Sequence, residues 1–437
     1  FFFFLNLMSK SSAMMLKQIH CRLTRWCAIG IFRYRRLMRS YSRLQMYSHS
    51  LRLYILFSRD SLLPDSYTLP LALKSLSSLS TSSRCSLFFQ LHSLSTRLGL
   101  SSHPHCHCAF IAAALAAGFR DVACKMFDES SLPDVASWNA LISGFHRSHP
   151  VHAVRLFSRM RAQGVVPDDV TVVIVASACG RMGDLRVAVQ IHKVAFQVSG
   201  NSRRPLRFLC MLQNSILDMY AKCGRMDLAC KVFDHIPRRL RNVSTWTSLV
   251  TGFATLGFAE EAFRCFHCMA DVARISPNHV TFLGVLTACV HAGRVEEGRL
   301  YFDLMRRVYG IPPTLKHYGC MVDLMARGGM LREAREVVEG MPMTPNVVVY
   351  GCLMGACEKY GDAEMGAWVA EKMVELQPLD DGPLVVLSNI YAARGMWSDV
   401  ERVRRRIQSM GLVRSGGDST ACSGSWEGEC ESRHINI

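Results

Sequence analysis

Residues 134–145 read DVASWNALISGF, and residues 242–253 read NVSTWTSLVTGF. Val, Trp, Leu, Gly and Phe recur at the same places in the two stretches, which begin 108 residues apart. In each copy the apolar side chains follow the i, i+3, i+4, i+7 spacing of one helical face. These residues are Trp138, Leu141, Ile142 and Phe145 in the first copy and Trp246, Leu249, Val250 and Phe253 in the second. The chain therefore repeats an amphipathic helix.

A second apolar helix follows each copy. Its apolar residues are Ala153, Leu156, Phe157 and Met160 after the first copy and Ala262, Cys265, Phe266 and Met269 after the second. Pro167 and Pro277 come after these helices, and proline cannot continue a helix. A helical hairpin of roughly 31–40 residues cannot bury its apolar faces alone, so neighbouring hairpins must stack. The sequence predicts an all-α fold, a right-handed α-solenoid of stacked helix-turn-helix repeats.

The composition indicates an ordered, packed protein. Of the 437 residues, 49% are hydrophobic and 20% are charged, which differs from the composition of disordered chains. No apolar run approaches the roughly 20 residues of a membrane span, so we expect no membrane partner. The 18 cysteines are scattered through helical patterns, which favours reduced thiols over disulfides.

Charge is distributed unevenly along the chain. Residues 1–59 contain 11 Lys plus Arg and no acidic residue, whereas the whole chain carries +16. An Arg-rich, acid-free N-terminus is typical of an organelle transit segment, which we predict at 1–30. The alternative interpretation is a basic first repeat, and the two overlap. Residues 296–381 hold 9 basic against 14 acidic residues, a balance that suits a protein partner.

Three stretches carry a resemblance to a known family. They are NSILDMYAKCGRMDLACKVFDHIP (214–237), HYGCMVDLMARGGMLREAREVVEGMP (317–342) and LSNIYAARGMWSDVERVRR (387–405). These strings resemble the short repeats and C-terminal extension motifs of plant pentatricopeptide-repeat proteins, in the editing-factor subfamily that alternates long and short repeats. The predicted division is a transit segment at 1–30, a repeat array at 31–346 that is degenerate over 31–134, extension motifs at 347–411 and a divergent tail at 412–437.

The resemblance implies which residues contact a ligand. Proteins of this family bind single-stranded RNA at about one base per repeat, through the fifth and the last residue of each repeat. Asn or Asp at such places also commonly caps helices, which is the alternative interpretation of these residues. The implied pairs are Asn139 with Asp169, suggesting uridine, Asn214 with Asn242, suggesting a pyrimidine, and Thr247 with His279, where Thr suggests a purine.

Metal and catalytic motifs are weak in this sequence. Cys265 and Cys268 form a single CxxC without a second ligand pair, and structural zinc requires four ligands. The run HPHCHC (103–108) is richer, but a linker entering a helix is the favoured interpretation. Zinc deaminases need H-x-E and P-C-x-x-C, and neither motif occurs. We therefore predict no catalytic residue, no metal site and no cofactor.

The expected function follows from the resemblance. It is recognition of a single-stranded organellar RNA, in a mitochondrion or chloroplast, for C-to-U editing by a deaminase-bearing protein and other editing cofactors recruited in trans. Transcript stabilisation or splicing support without editing is the alternative. A peptide-binding helical-repeat scaffold belongs to a different class, and it would need carboxylate clamps in place of the Asn and Asp residues.

Overall fold

The computed structural model describes residues 31–76, 79–101, 103–130, 133–200 and 206–409. The predicted transit segment at 1–30 and the divergent tail at 412–437 lie outside the described residues. Residues 201–205, between helices that end at Gly200 and begin at Leu206, also lie outside them. The chain divides into two compact units, whose described residues end at 200 in the first and begin at 206 in the second.

The described residues of the first unit form five helical hairpins. Each odd-numbered helix is the first helix of its hairpin, and each even-numbered helix is the second. The helices are α1 (Ile31–Arg43), α2 (Tyr47–Arg59), α3 (Thr68–Ser75), α4 (Thr81–Arg97), α5 (Pro104–Ala116), α6 (Arg120–Asp128), α7 (Val135–Phe145), α8 (Pro150–Ala162), α9 (Asp169–Met182) and α10 (Leu185–Gly200).

Residues 206–409 of the second unit continue the same pattern with six hairpins. Short π-helical turns at Cys268–Val272 and Leu304–Val308 follow α14 and α16. The helices are α11 (Leu206–Lys222), α12 (Met226–His235), α13 (Val243–Thr255), α14 (Ala259–His267), α15 (His279–Ala292), α16 (Val295–Asp303), α17 (Leu315–Arg327), α18 (Leu331–Glu339), α19 (Val347–Tyr360), α20 (Ala363–Leu376), α21 (Gly382–Ala393) and α22 (Trp397–Ser409).

The described residues contain no strand, and the predicted all-α, right-handed α-solenoid is confirmed. Within each unit, consecutive first helices pack on one another, as α5 does on α7 and α13 on α15. Second helices pack mainly on the first helix of their own hairpin and on that of the next. The first helices are therefore the more closely spaced layer, and they line the concave side of each unit.

The tryptophans of the two repeated stretches have the same surroundings in both units. Trp138 is fully buried and meets the ring of Phe127 edge to face at 4.5 Å between centroids. Trp246 meets Phe233 in the same way at 4.8 Å. Each phenylalanine belongs to the second helix of the preceding hairpin, so each contact joins two repeats. Such aromatic pairs contribute about 0.5–1.5 kcal/mol beyond the burial of their area.

The glycine of the repeated stretch allows first helices to approach each other. A Cβ at Gly252 would lie 2.7 Å from the sulfur of Met226 and 2.9 Å from the Cβ of Ala221. Gly144 meets the side chain of Leu115 in the equivalent way. Cβ atoms in proteins essentially never approach so closely, so a larger residue would push α13 away from α11.

Candidate nucleic-acid interface

A capping box starts several of the first helices. The Oδ1 atom of Asp168 accepts the N–H of Thr171 at 2.8 Å, and the Asp168 N–H donates to the Oγ1 of Thr171 at 3.2 Å. This reciprocal pair satisfies two backbone donors that a helix start leaves free. Thr171 is fully buried, so the cap fixes the beginning of α9 against the preceding hairpin.

The fifth residue of the preceding first helix joins this cap. Asn139 of α7 donates from Nδ2 to Asp168 Oδ1 at 3.0 Å, and Thr171 Oγ1 donates to Asn139 Oδ1 at 2.7 Å. We call Asn139, Asp168 and Thr171 the Asn139 cluster. Asn139 and Asp168 are half-buried, so an amide and a carboxylate remain accessible at the edge of the concave side.

The same arrangement recurs in the second unit. Asn214 Nδ2 donates to Asn242 Oδ1 at 3.2 Å, and Thr245 Oγ1 donates to Asn214 Oδ1 at 2.7 Å. Asn242 caps α13 by accepting the Thr245 N–H at 3.1 Å. We call these three residues the Asn214 cluster. The Asn242 amide also donates to the buried Cys210 sulfur at 3.3 Å, which directs its oxygen towards Asn214.

A third cluster uses hydroxyls in place of amides. Thr247 and Thr281 share a hydrogen bond of 2.7 Å between their Oγ1 atoms. Asn278 caps α15 by accepting the Thr281 N–H at 2.9 Å. We call Thr247, Asn278 and Thr281 the Thr247 cluster. Thr247 is 8% exposed, so this cluster presents less polar surface than the other two.

The structure brings together some of the predicted residues and separates others. Asn214 and Asn242 meet as predicted. Asn139 meets Asp168, whereas the predicted Asp169 is the first residue of α9. In the Thr247 cluster the capping residue is Asn278, and the predicted His279 is the first residue of α15.

The capping box is the sequence signal that shows which residues of different hairpins are equivalent. The prediction from the fifth and the last residue of each repeat did not use it. Asp168, Asn242 and Asn278 each precede a threonine by three residues, so all three are equivalent. Asn139 and Asn214 lie inside their helices, so the alternative interpretation of these two asparagines as caps is wrong. The cap before α7 is Asp134.

Basic residues recur near the C-terminal ends of the first helices. Each of them lies thirteen residues after the capping residue of its first helix, as Arg147 does after Asp134. In α11 the count takes Asn214 as the fifth residue after the capping place. All are exposed, and Thr255 takes this place in α13. They are Arg147 and Arg181 in the first unit and Lys222, His291, Arg327, Lys359 and Arg394 in the second.

Some of these cations already pair with carboxylates. Lys222 contacts Asp218 at 2.5 Å, and Arg327 contacts Asp323 at 2.9 Å, each one helical turn away. Exposed pairs of this kind contribute at most about 1 kcal/mol, so a phosphate can replace the carboxylate at little cost. The first helices therefore combine hydrogen-bonding groups near their N-terminal ends with cations near their C-terminal ends.

Family models match most of the repeats. The PPR repeat model matches residues 214–239, 244–271, 280–308 and 316–343, and the PPR repeat family model matches 133–181. A model called E motif matches residues 360–421.

Curated relatives agree with these models. The chain is 45% identical over 379 residues to "Pentatricopeptide repeat-containing protein At1g77170, mitochondrial" of Arabidopsis thaliana, covering 86% of this chain and 79% of that protein. The chain belongs to the pentatricopeptide repeat family. A second Arabidopsis thaliana member, At4g14820, is 41% identical over 269 residues, which cover 62% of this chain and 36% of that protein.

The pentatricopeptide repeat fold is also found among solved structures. The maize pentatricopeptide repeat protein PPR10 superposes with a TM-score of 0.59 at 18% identity, over 90% of this chain and 62% of that one. PPR10 in complex with an 18-nt psaJ RNA element gives a TM-score of 0.60 at 16% identity. At this level of identity the likeness concerns the fold. The E motif match agrees with the predicted editing-factor subfamily of pentatricopeptide repeat proteins.

Residues considered as metal ligands hold these pentatricopeptide repeats together. His107 Nε2 lies 2.9 Å from the Met126 carbonyl oxygen, and Cys106 donates to the Ser66 carbonyl. Burial, followed by the nearby Cys230 and Cys268, raises the pKa of Cys265 to about 12, so its thiol stays protonated. No group of three or more His, Cys, Asp or Glu among the described residues is arranged to hold a metal ion.

None of the described helices combines the length and the apolar character that crossing a membrane would require.

Proposed function

We propose that the protein binds single-stranded RNA and reads individual bases with the Asn139, Asn214 and Thr247 clusters. The observation that carries this proposal is the recurrence, in three hairpins, of a hydrogen bond between the fifth residue of a first helix and the capping-box threonine of the next, on the side lined by the first helices. The polar groups of each cluster bond to one another in the free protein. A base would replace those bonds with its own donors and acceptors.

The chemistry of each pair favours different bases. The Asn139 amide can donate to a uracil carbonyl while the Asp168 carboxylate accepts the uracil N3–H. Cytosine presents an acceptor at N3, which a carboxylate repels, so this pair favours uridine as the family resemblance implies. Asn242 has an amide in place of the carboxylate and accepts either pyrimidine.

Asp168 is proposed as the partner of Asn139, with Asp169 as the competing assignment. Asp168 is favoured because it already shares a hydrogen bond with Asn139. The same argument favours Asn278 over His279 beside Thr247, since Asn278 bonds to the threonine that Thr247 contacts.

The basic residues at the ends of the first helices supply the second part of the interface. Lys and Arg beside a strand bind its phosphates and release counterions, so affinity falls as salt rises. The maize protein that shares this fold was solved with an 18-nt RNA element, which supports RNA as the ligand class.

The test compares base preference in matched variants. An RNA that the protein selects from a random pool is varied at each nucleotide in a competition assay. Asn139→Thr is expected to shift one position from uridine towards guanosine, with a change of about 1–3 kcal/mol at that position. Asp168→Asn should alter the same position, and Asp169→Asn should not. An unchanged profile, or a uniform loss at every position, would refute base reading by the Asn139 cluster.

The proposed biological role is recognition of a transcript for C-to-U editing in mitochondria. Several relatives carry the word mitochondrial in their names, and the E motif match agrees with the editing-factor subfamily. The deaminase is proposed to come from a second protein. The purified chain should bind a target RNA and leave its cytidines unchanged until a deaminase-bearing partner is added. Conversion of cytidine by the chain alone would contradict this role.

A further inference from the structure

Aromatic rings mark the first three hairpins. Before α3, Asp65 accepts the Thr68 N–H and so takes the place that the capping residue has in the later hairpins. The second residue after this place in the three hairpins is Phe32, Tyr67 and His105. Phe32 is 73% exposed and Tyr67 is 53% exposed, and His105 is also exposed. From the fourth hairpin onwards this place holds no aromatic ring; its occupants are Ala136, Val170, Met211, Ser244, Val280, Lys316, Val348 and Pro383.

The rings occur where base-reading residues are missing. The fifth residues after the capping place in the same three hairpins are Arg35, Pro70 and Cys108, in place of an amide or a threonine. Cys108 Sγ donates to the Ala136 carbonyl, so it is committed to the neighbouring helix. These hairpins therefore lack the polar pair that distinguishes bases in the Asn139 cluster.

Arg35 links the first two rings into one surface. Its guanidinium carbon lies 4.6 Å from the centroid of Phe32 and 5.1 Å from that of Tyr67. Asp65 holds the guanidinium through an ion pair of 3.3 Å, and Asp65 is itself held by the Thr68 N–H at 2.7 Å. The ring centroids of Tyr67 and His105 lie 6.0 Å apart. Planar groups thus extend across three consecutive hairpins.

The charge around the rings complements a phosphate backbone. Helices α1 and α2 carry seven arginines and no acidic residue. Phe32, Arg39 and Arg43 have the i, i+7, i+11 spacing of one helical face, and all three are exposed. Arg39 and Arg43 form no ion pair within the described residues. An apolar peptide would leave these cations unpaired, whereas RNA offers both stacking faces and anions.

We propose that Phe32, Arg35, Tyr67 and His105 form a stacking platform that holds unpaired nucleobases without regard to their identity. Every base has a π-face that stacks on an aromatic ring or a guanidinium plane, so such a platform adds affinity and no edge readout. The inference rests on the proposed RNA binding and deepens it. The first three hairpins anchor the strand, and the three clusters read it.

The experiment uses the full chain and an RNA that it selects from a random pool. Each nucleotide of that RNA is replaced in turn by another base or by an abasic ribose. If the platform binds the RNA, a group of neighbouring nucleotides at one end of the site should tolerate a change of base. An abasic ribose at any of these nucleotides should weaken binding. Tyr67→Ala is expected to weaken binding roughly 5- to 100-fold and to abolish the abasic effect at one nucleotide.

Matched variants separate stacking from other roles. Tyr67→Trp keeps a ring and should bind within about twofold of the original chain. Phe89→Ala removes a ring of similar exposure, 51%, from the second helix α4 and should leave affinity unchanged. Helical content by circular dichroism should be the same in all three variants, because Tyr67 and Phe89 are both largely exposed.

Three outcomes would overturn the inference. Unchanged affinity in Tyr67→Ala, with RNA still selected by the original chain, would overturn the platform alone. A change in self-association of Tyr67→Ala by light scattering, without a change in RNA affinity, would assign the rings to contact between copies. Failure of the original chain to select any RNA would overturn the proposed function together with the platform.

Discussion

Two hairpins of the second unit use the same three places in different ways. In the Asn214 cluster, the half-buried Asn214 and the exposed Asn242 bond to each other, and the buried Thr245 bonds to Asn214. Two hairpins later the equivalent places hold Leu283, Thr314 and His317. Leu283 has no polar group, and His317 is 1% exposed.

Both ring nitrogens of His317 form hydrogen bonds within the protein. Its Nδ1 accepts the Thr314 N–H at 3.1 Å, and its Nε2 lies 2.8 Å from the His279 carbonyl oxygen. With Nδ1 accepting, the proton belongs on Nε2, which donates to that carbonyl. The capping box thus joins two hairpins whether or not a polar residue stands at the fifth place of the preceding helix. Under the proposed function, it takes part in base recognition only where that fifth place holds an amide or a hydroxyl.

Removing the His317 side chain is expected to have the largest effect. His317→Ala removes the acceptor of the Thr314 N–H in the capping box, leaves the His279 carbonyl without its interhelical donor and opens a buried space. The free energy of unfolding should fall by about 2–4 kcal/mol. Chemical denaturation followed by circular dichroism measures it.

His317→Thr is the matched control, because threonine occupies this place in the other three capping boxes. It should retain the cap and lose about half as much stability as the alanine variant. Equal losses in the two variants would mean that the cap contributes nothing.

The next effect tests whether close helix packing brings the Asn214 cluster together. Gly252→Leu must displace Met226 and separate α13 from α11, at a cost of about 2–3 kcal/mol. Gly355 in α19 has open space around it, so Gly355→Ala should stabilise the protein by about 0.5–1 kcal/mol. Denaturation midpoints that move in the same direction for both variants would contradict this packing argument.

An exchange of side chains tests directly whether the amide at the fifth place gives base preference. Asn214→Leu gives the Asn214 cluster the residue found at Leu283 and should remove base preference at one RNA position, about 1–2 kcal/mol. The fold should remain, since Leu283 is accommodated at the equivalent place. Base preference is measured by nucleotide-by-nucleotide competition. A loss spread over all positions would indicate that Asn214 only supports the helix packing.

The smallest effect is a dependence of stability on pH. Burial lowers the pKa of His317, and although the bond to the His279 carbonyl raises it, the nearby His279 ring lowers it again. The folded protein therefore disfavours the protonated ring, whereas the unfolded chain protonates near pH 6.5. The stabilisation is present above that pH and is lost as the pH falls towards the folded-state pKa. His317→Thr should lose less stability than the original chain between about pH 7.5 and pH 5.5; an identical loss would exclude His317 as the titrating group.

The fold could be read from the sequence because its repeat is local. Trp138 and Trp246 stand at the same helical spacing, and both pack on the phenylalanine of the preceding hairpin as equivalent residues should. The repeat spacing also pairs Asn214 with Asn242, and these two residues share a hydrogen bond in the structure. The spacing pairs Asn139 with Asp169, whereas the structure bonds Asn139 to Asp168, and the identical side chains of these neighbours cannot be told apart by residue type.

The sequence by itself determined the helical period, the stacking of hairpins and the uneven charge, because these depend on spacing along the chain. Only the tertiary structure decided which neighbouring residue faces Asn139, because a shift of one residue rotates a side chain by about 100° around the helix. It also decided that Phe32 and Tyr67 meet around Arg35. Those residues are 35 positions apart, and only the packing of one hairpin on the next brings them together.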